Sequence, residues 1–311
     1  MLKIVFMGTP EFSVPILDAL YNTYEVVGVV TQPDKLVGRK KELQMSPVKK
    51  YALEKGLKVF QPIKIREDYE DILLLNPDLI VTAAYGQIVG MKLLNAPRFK
   101  SINVHGSLLP KHRGGAPIQR AIMNGDKVTG ITIMYMAKKM DAGDILAQKE
   151  LEILDNDTST TLFNKMSLLG RDLLMETIPL LIDGKITPIK QNDEEATFSY
   201  NIESTEEEID FEKDAKVIER TLRALLDEPG MYFYFNGFND PNDRIKVYDL
   251  KVGTLSHNLN PGEIVSVSKK YFTMACGYNT TIDIYEVQPV GKKRMKAVDF
   301  INGGLKKYRK E

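Results

Sequence analysis

Short apolar runs rich in β-branched residues alternate with helical segments along the first half of the chain. The runs lie at residues 2–7, 24–31 and 79–82, and each is bounded by Gly, Pro or Asp. Runs of this kind are typical of strands that are buried on both faces of a sheet. A helix between consecutive strands favours parallel pairing, because a parallel connection has to cross back over the sheet. The alternation therefore predicts an α/β domain built on a mainly parallel sheet.

Two serines that are closely followed by proline mark helix starts within this pattern. Ser13 precedes Pro15, and Ser46 precedes Pro47 in a segment that closes at Gly56. Serine is a favoured N-cap and proline fits the first helical turn, so both serines are predicted to cap helices. The pattern continues with a strand at 101–105, a helix at about 116–124, a strand at 130–136 and a long amphipathic helix at about 159–182.

A run of acidic residues separates the first half from a second pattern. Residues 191–212 contain nine carboxylates and neither Lys nor Arg, which indicates a mostly solvated segment. Residues 211–226 are then predicted to form a helix, which Pro229 and Gly230 stop. Short alternating runs follow at close spacing, as in a small β-barrel of the OB-fold type. The expected boundaries are a first domain at 1–190, a linker at 191–207 and a C-terminal β-barrel domain at 208–311.

The composition excludes several classes of protein. Lys plus Arg and Asp plus Glu each total 42, so the net charge alone favours no anionic partner. The single cysteine, Cys276, excludes an intramolecular disulfide, and the three scattered histidines lack the spacing of metal ligands. No run reaches the roughly 18 apolar residues that a membrane span needs. We expect a monomeric, cytoplasmic protein with no metal ion and no membrane partner.

An Asn-x-His pair at the end of a predicted strand is the strongest candidate for chemistry. Asn103 and His105 project from the same face, and Gly106 ends the strand where open α/β sheets bind ligands. A donating carboxamide and a protonated imidazole suit the oxygen of a tetrahedral intermediate, and Asp141 could orient or charge the imidazole. Taken alone, however, such a pair is more often a satisfied polar contact, and Asp141-Ala-Gly an ordinary turn.

Three motifs resemble the signature of the folate-dependent formyltransferases. They are Asn103-Val-His105-Gly-Ser107-Leu108-Leu109-Pro110, Arg113-Gly-Gly-Ala-Pro117 and Asp141-Ala-Gly-Asp144. The resemblance implies a Rossmann-like sheet, 10-formyltetrahydrofolate as the formyl donor, and Asn103, His105 and Asp141 as the catalytic residues. It also implies folate-binding residues: Ser107, Leu108, Leu109 and Pro110 in the cleft, Gln87, Ile88 and Val89 near the pterin ring, and Lys138, Lys139, Met140 and Gly143 in a second loop.

Basic segments favour a nucleic acid as the formyl acceptor. Residues 31–50 place six Lys or Arg against two carboxylates, and residues 291–311 place eight against two. Such segments suit phosphate contacts, although a charged run is more often a solvated loop. They resemble the basic insertion and the second domain of the family members that formylate methionyl-tRNA. The resemblance implies initiator methionyl-tRNA as the partner, with contacts from Arg39, Lys40, Lys41, Lys292, Lys293 and Arg294.

One departure and three alternatives stay open. Asn201 stands where the family usually has lysine, so a tRNA contact at that position is not expected. The acceptor could instead be an amino sugar nucleotide, for which the basic loop would have no use. An RNA-binding protein without activity would not need Asn103, His105 and Asp141. A dehydrogenase is disfavoured, because Gly8-Thr-Pro replaces the glycine-rich nucleotide fingerprint. Cys276 has no base near it in sequence that would make it a nucleophile.

Overall fold

The computed structural model describes residues 1–37, 42–235 and 243–303. These residues form two compact units. The first contains the described residues of 1–118, 127–153 and 161–200. The second contains 119–126, 154–160 and the described residues from 201 onward. No feature of the sequence pattern predicted that the two short segments belong with the second unit. The boundaries at 190 and 207 stay a prediction.

Residues up to the end of the long helix form nine strands and six helices within the described ranges. The strands are β1 (Lys3–Gly8), β2 (Glu25–Val30), β3 (Lys35–Val37), β4 (Glu42–Gln44), β5 (Val59–Phe60), β6 (Leu79–Ala83), β7 (Ser101–His105), β8 (Val128–Tyr135) and β9 (Ile145–Glu152). The helices are α1 (Val14–Thr23), α2 (Pro47–Glu54), α3 (Glu70–Leu73), α4 (Met91–Leu94), α5 (Pro117–Asn124) and α6 (Ser159–Ile182).

Seven of these strands form one sheet in the order β5-β2-β1-β6-β7-β8-β9. The pairs from β5 through β7 are parallel, and β8 and β9 extend that edge in antiparallel fashion. The central strands β1, β6 and β7 are almost entirely buried. The predicted α/β class is confirmed, and the carboxyl ends of three adjacent strands meet at one edge of the sheet.

The two predicted serine caps have different outcomes. Ser46 caps α2 as predicted, because its hydroxyl oxygen accepts a hydrogen bond from the backbone N–H of Lys49 at 3.0 Å. Ser13 stands at the N-cap position of α1 with Pro15 in the first turn, as predicted, but its side chain makes no capping hydrogen bond. The Ser13 hydroxyl is buried and donates to the carbonyl oxygen of Ala83 at 2.6 Å, so it ties α1 to the end of β6 instead of capping the helix.

The second unit is built on an antiparallel sheet in the order β10-β11-β14-β13-β12, with β15 paired to β14. Its strands are β10 (Met231–Tyr234), β11 (Arg244–Val252), β12 (Ile264–Val267), β13 (Phe272–Ala275), β14 (Thr281–Pro289) and β15 (Met295–Lys296). Its helices are α7 (Ala215–Leu225) and α8 (Ala297–Gly303). This antiparallel β unit agrees with the expected second fold class.

Helix α7 begins later than predicted. The sequence pattern placed its start at Phe211, but the Asp214 side chain accepts a hydrogen bond from the backbone N–H of Lys216 and caps the helix there. The helix then buries Ile218, Leu222 and Leu225 in the core of its unit. The apolar residue at 211 belongs to the preceding turn, where its ring packs edge-on against Phe233.

The acidic segment is mostly solvated, as predicted, with two exceptions in the first unit. Gln191 is 8% exposed and Ser199 is fully buried. Residues 197–199 run beside the chain at Arg113, where the backbone N–H of Arg113 donates to the carbonyl of Thr197 and the N–H of Ser199 donates to the carbonyl of Arg113. An isolated β-bridge between Phe198 and Arg113 therefore ties part of this segment to the first unit.

The described part of the chain has neither a membrane-spanning helix nor a cluster of metal-binding side chains. None of its helices combines the length and the hydropathy that crossing a membrane requires. No group of three or more His, Cys, Asp or Glu side chains in the same residues is placed to hold a metal ion.

Candidate active site

Asn103 lies at the carboxyl end of β7, with its amide oriented by a neighbouring strand. Thr82, the residue paired with Asn103 on β6, donates its hydroxyl to the Asn103 carboxamide oxygen at 2.8 Å. This bond holds the oxygen towards Thr82, so the amide nitrogen, which is the donor end of the carboxamide, is directed away from β6 and can donate to a ligand. Asn103 is half-buried, so the donor lies at the edge of the sheet.

His105 projects from the same face of β7 and is 6% exposed. Its Nε2 lies 3.0 Å from the carbonyl oxygen of His112. A carbonyl can only accept, so Nε2 carries a hydrogen and Nδ1 is the nitrogen that can gain or lose a proton. Nδ1 lies 3.8 Å from Oδ1 of Asp141. The imidazole is thus held by one hydrogen bond and faces a carboxylate with its reactive nitrogen.

Asp141 lies in the loop between β8 and β9, with a left-handed backbone at φ 51°. Its Oδ2 accepts a hydrogen bond from the backbone N–H of Gly114 at 2.9 Å. A non-glycine residue with positive φ is strained and persists only where its surroundings hold it. The structure therefore brings Asn103, His105 and Asp141 to one edge of the sheet, as the resemblance implied.

The predicted folate-cleft residues 107–110 follow shortly after β7, and side chains of β8 and β9 hold their backbone by hydrogen bonds. The backbone N–H of Leu109 donates to the hydroxyl oxygen of Thr132, and that hydroxyl donates to the carbonyl of Ser107. The Gln148 amide donates to the carbonyl of Leu109 and to the Thr132 hydroxyl, both at 2.8 Å. Thr132 and Gln148 support this segment, and only their positions on the facing strands β8 and β9 could have identified them.

The other predicted folate-binding residues differ in exposure and in whether their side chains are already hydrogen-bonded. The Gln87 side chain accepts from the backbone N–H of Ile65 and donates to the carbonyl of Pro62, so mainly its backbone remains for a ligand. Ile88 is 60% exposed and Val89 is buried. In the β8–β9 loop, the predicted contacts Lys138, Lys139 and Met140 are exposed, whereas Gly143 is buried. A Cβ at Gly143 would collide with the carbonyl of Tyr135, so only glycine fits there.

A buried arginine beside the candidate catalytic residues had no assigned role in the sequence motif. Arg113 is fully buried, donates twice to the side-chain oxygen of Gln191, and pairs with Asp193 at 2.7 Å. Asp193 also pairs with Lys139 at 2.8 Å. Hydrogen bonds from Lys139 and Arg113 lower the pKa of the Asp193 carboxyl to about 2. Gln191 and Asp193 were missed because the acidic run looked like a linker.

The predicted tRNA contacts are only partly described. Arg39, Lys40 and Lys41 lie outside the described residues. In the second unit, Lys292 and Lys293 are exposed in the turn after β14. Arg294 pairs with Glu286 at 2.6 Å and its guanidinium lies 4.4 Å from the ring centre of Tyr248. Lys292 and Lys293 form no ion pair with another described residue, whereas the charge of Arg294 is partly neutralised by Glu286.

Comparison with protein families gives two matches that divide the chain. Residues 2–178 match the family described as formyl transferase. Residues 201–305 match the family described as formyl transferase, C-terminal domain. The first match contains the whole set of candidate catalytic residues.

Curated relatives match over nearly the whole chain. A methionyl-tRNA formyltransferase of Pediococcus pentosaceus is 49% identical over 307 residues, which is 97% of this chain and 94% of the relative. One from Limosilactobacillus fermentum is 50% identical over 307 residues, covering 97% of this chain and 96% of the relative.

Solved structures resemble the fold at lower identity. An N-formyltransferase from Helicobacter canadensis, in complex with folinic acid and dTDP-3-aminofucose, has a TM-score of 0.67 at 22% identity over 91% of this chain and 99% of its own. WlaRD, a sugar 3N-formyl transferase, has a TM-score of 0.67 at 20% identity over 94% of this chain and 99% of its own. At this identity the likeness concerns the fold alone.

Proposed function

The chain belongs to the formyl transferase family, and from that premise we propose that it transfers the formyl group of 10-formyltetrahydrofolate to the α-amine of initiator methionyl-tRNA. The observation that carries this proposal is the near-full-length identity with curated methionyl-tRNA formyltransferases, since it includes both the first unit and the C-terminal unit. The product is N-formylmethionyl-tRNA, which serves translation initiation. Such an enzyme would work in the cytoplasm, and we propose that it acts as a monomer.

We propose Asn103, His105 and Asp141 as the catalytic residues. The neutral α-amine attacks the formyl carbon, the bond from that carbon to N10 of the folate breaks, and the proton lost by the amine ends on that nitrogen. Asn103 donates from its amide nitrogen to the developing oxyanion, and the Thr82 hydroxyl orients the carboxamide for this by bonding to its oxygen. No covalent bond to the enzyme is needed.

His105 and Asp141 supply charge and a proton route in this proposal. A proton on Nδ1 of His105 gives an imidazolium beside Asp141, and its positive charge stabilises the oxyanion. Asp141 stabilises that imidazolium and helps the attacking amine lose its proton. Removal of one such donor from a water-excluded site costs roughly 3 kcal/mol of barrier.

Folate and tRNA contacts complete the proposal. Ser107 to Pro110, the backbone of Gln87 to Val89, and the loop from Lys138 to Gly143 would hold the reduced folate. Lys292 and Lys293, together with the basic segment that includes Arg39, Lys40 and Lys41, would contact phosphates of the tRNA. Residues 1–190 would then act as the catalytic domain and 208–311 as the tRNA-binding domain.

An acceptor competition tests the substrate. The protein is given 10-formyltetrahydrofolate with a labelled formyl group and a mixture of methionyl initiator tRNA and a 4-amino sugar nucleotide. We expect label in the methionyl-tRNA, and none in a control tRNA that carries no amino acid, because only the charged tRNA has the α-amine. Label in the sugar nucleotide alone would contradict the proposed acceptor while leaving the formyl donor in place.

A further inference from the structure

Gln191 bridges a buried arginine and the loop that carries Asp141. Its side-chain nitrogen donates to the backbone carbonyl of Asp141 at 2.9 Å and to that of Gly143 at 2.7 Å. Its side-chain oxygen accepts from Nε of Arg113 at 3.1 Å and from Nη2 at 2.8 Å. The Gln191 carboxamide therefore makes two hydrogen bonds as a donor and two as an acceptor, and the side chain is only 8% exposed.

The arginine fixes which way the Gln191 amide points. A guanidinium can only donate hydrogen bonds, so it requires the oxygen end of the amide. The NH2 end must then face the two carbonyls of the loop, which can only accept. A glutamine between a donor pair and an acceptor pair has one satisfied orientation, and here the guanidinium selects the orientation that binds the Asp141 loop.

The bridge is anchored at both ends. Ile189, two residues before Gln191, exchanges two backbone hydrogen bonds with Ile145 at the start of β9, at 2.8 and 2.9 Å. On the other side, the Arg113 charge is balanced by Asp193 at 2.7 Å. Both neighbours of Arg113 contact candidate catalytic groups: the carbonyl before it meets His105 Nε2, and the N–H after it meets the Asp141 carboxylate.

We infer that Gln191 is a positioning residue that holds Asp141 in its strained backbone conformation beside His105. Arg113 orients the Gln191 amide for this role by donating to its oxygen. Asp141 has φ 51°, and its carboxylate lies 3.8 Å from His105 Nδ1, a distance that a small shift of the loop would change. Gln191 contacts the loop backbone and no reacting group. This inference rests on the proposed catalytic role of Asp141.

Two substitutions separate the two ends of the Gln191 amide. Gln191→Glu keeps acceptors for Arg113 but removes both donors to the loop. Gln191→Met has a similar volume and removes both ends, and Gln191→Glu remains usable if the methionine variant does not fold. The matched control is Thr177→Val, which removes a buried hydroxyl that donates to the carbonyl of Leu173 within α6, away from the loop.

Kinetics and hydrogen exchange then test the inference. We expect both Gln191 variants to lower kcat roughly ten- to hundredfold, because misplacement of Asp141 affects the chemical step. The folate KM should rise by a smaller factor than kcat falls, because the same loop is proposed to hold the folate. Without any substrate, the amides of residues 139–144 should exchange faster than in the wild type. Thr177→Val should change neither readout, even where it lowers the melting temperature.

A double-substitution cycle decides whether Gln191 acts through Asp141. In an Asp141→Asn background, Gln191→Met should alter kcat by no more than about twofold, because a residue that acts only by positioning the Asp141 carboxylate has no further effect once that carboxylate is gone. An equal reduction in both backgrounds, wild-type kcat in both Gln191 variants, or unchanged exchange at 139–144 would overturn the inference. The exchange result needs no acceptor, so it stands even if the proposed acceptor fails. If Asp141→Asn alone keeps wild-type turnover, the catalytic assignment and the inference fall together.

Discussion

Single hydrogen bonds decide which atoms of the candidate catalytic side chains can react. The Thr82 hydroxyl takes the oxygen of Asn103 and leaves the amide nitrogen to donate. The His112 carbonyl takes Nε2 of His105 and leaves Nδ1 facing Asp141. In both cases a neighbouring residue fixes which atom of the side chain faces the site. One strand end can therefore present a hydrogen-bond donor and a proton carrier together.

Asp193 gives the first unit an acid-sensitive contribution to stability. Its pKa is lowered to about 2 by Lys139 and Arg113, from an ordinary value of 3.8. A depressed carboxyl pKa means that the stabilisation is present above the unfolded value and is lost as the pH falls through the folded value. We expect the difference in melting temperature between wild type and Asp193→Asn to be largest above pH 4 and to shrink towards pH 2. Thermal melts followed by circular dichroism measure it, and a difference independent of pH would contradict the ion pairs.

The single cysteine is predicted to be inert in the folded protein. Cys276 is 1% exposed, and burial raises the pKa of its thiol to about 12. A thiolate is the reactive form, so both access and ionisation are suppressed. Titration with a thiol reagent at neutral pH should detect no reactive thiol in the native protein and one per chain in denaturant. Rapid labelling of the native protein would contradict this.

Residue identity alone could predict part of this site. The alternation of side chains along a strand was enough to place Asn103 and His105 on one face. It could not place Asp141, which depended on the family motif, because no local pattern links a loop residue to a strand end 36 positions earlier in the chain. Gln191 was out of reach for the same reason, since its partners lie far away in sequence.

At the level of elements, local signals predicted strands and helices whose ends depend on their own residues. The predicted strand 101–105 and the predicted helix 159–182 agree with β7 and α6. At Ser13 a tertiary contact decided the role of the side chain, because the hydroxyl bonds to β6 and makes no capping bond. At α7 the predicted start was too early, because Asp214 caps the helix after Phe211. Strand β9 was not predicted, because exposed polar residues fill much of it and its pairing with β8 is not a local property.

The loop after β7 depends on a glycine with no room for a side chain. Gly114 has φ +123°, and a Cβ there would lie 2.5 Å from the carbonyl oxygen of Ser199. Gly114→Ala should destabilise the first unit by about 2 kcal/mol or more and displace the N–H that holds Asp141, so kcat should fall as well. Gly184→Ala is the matched control, since its φ is +66° but its Cβ would meet nothing within 4 Å. Chemical denaturation and steady-state kinetics measure both variants, and equal effects of the two would exclude the close approach as the cause.

At the level of the whole molecule, the two units are proposed to divide chemistry and tRNA binding. The proposed catalytic residues lie in the first unit, and Lys292 and Lys293 lie in the second. The net charge is zero, so any attraction for tRNA must come from local basic segments and not from the average field of the protein.

Neutral replacement of residues 35–41 tests the use of the basic segment. With Lys35, Arg39, Lys40 and Lys41 changed to serine or glutamine, the KM for methionyl-tRNA should rise while the affinity for folate stays the same. The dependence of tRNA binding on salt should also weaken, by about one unit of slope for each phosphate that the protein no longer neutralises. Unchanged tRNA kinetics and an unchanged salt slope would remove this segment from the proposal.

We propose that formyl transfer takes place at the carboxyl end of β7, where Asn103 and His105 lie beside the loop that carries Asp141. The most direct measurement is single-turnover transfer of labelled formyl from 10-formyltetrahydrofolate to methionyl-tRNA by wild type and by His105→Ala, with both substrates saturating. We expect a rate that is lower by about a hundredfold or more in the variant, while both substrates still bind. A wild-type rate in His105→Ala would contradict the proposed role of His105.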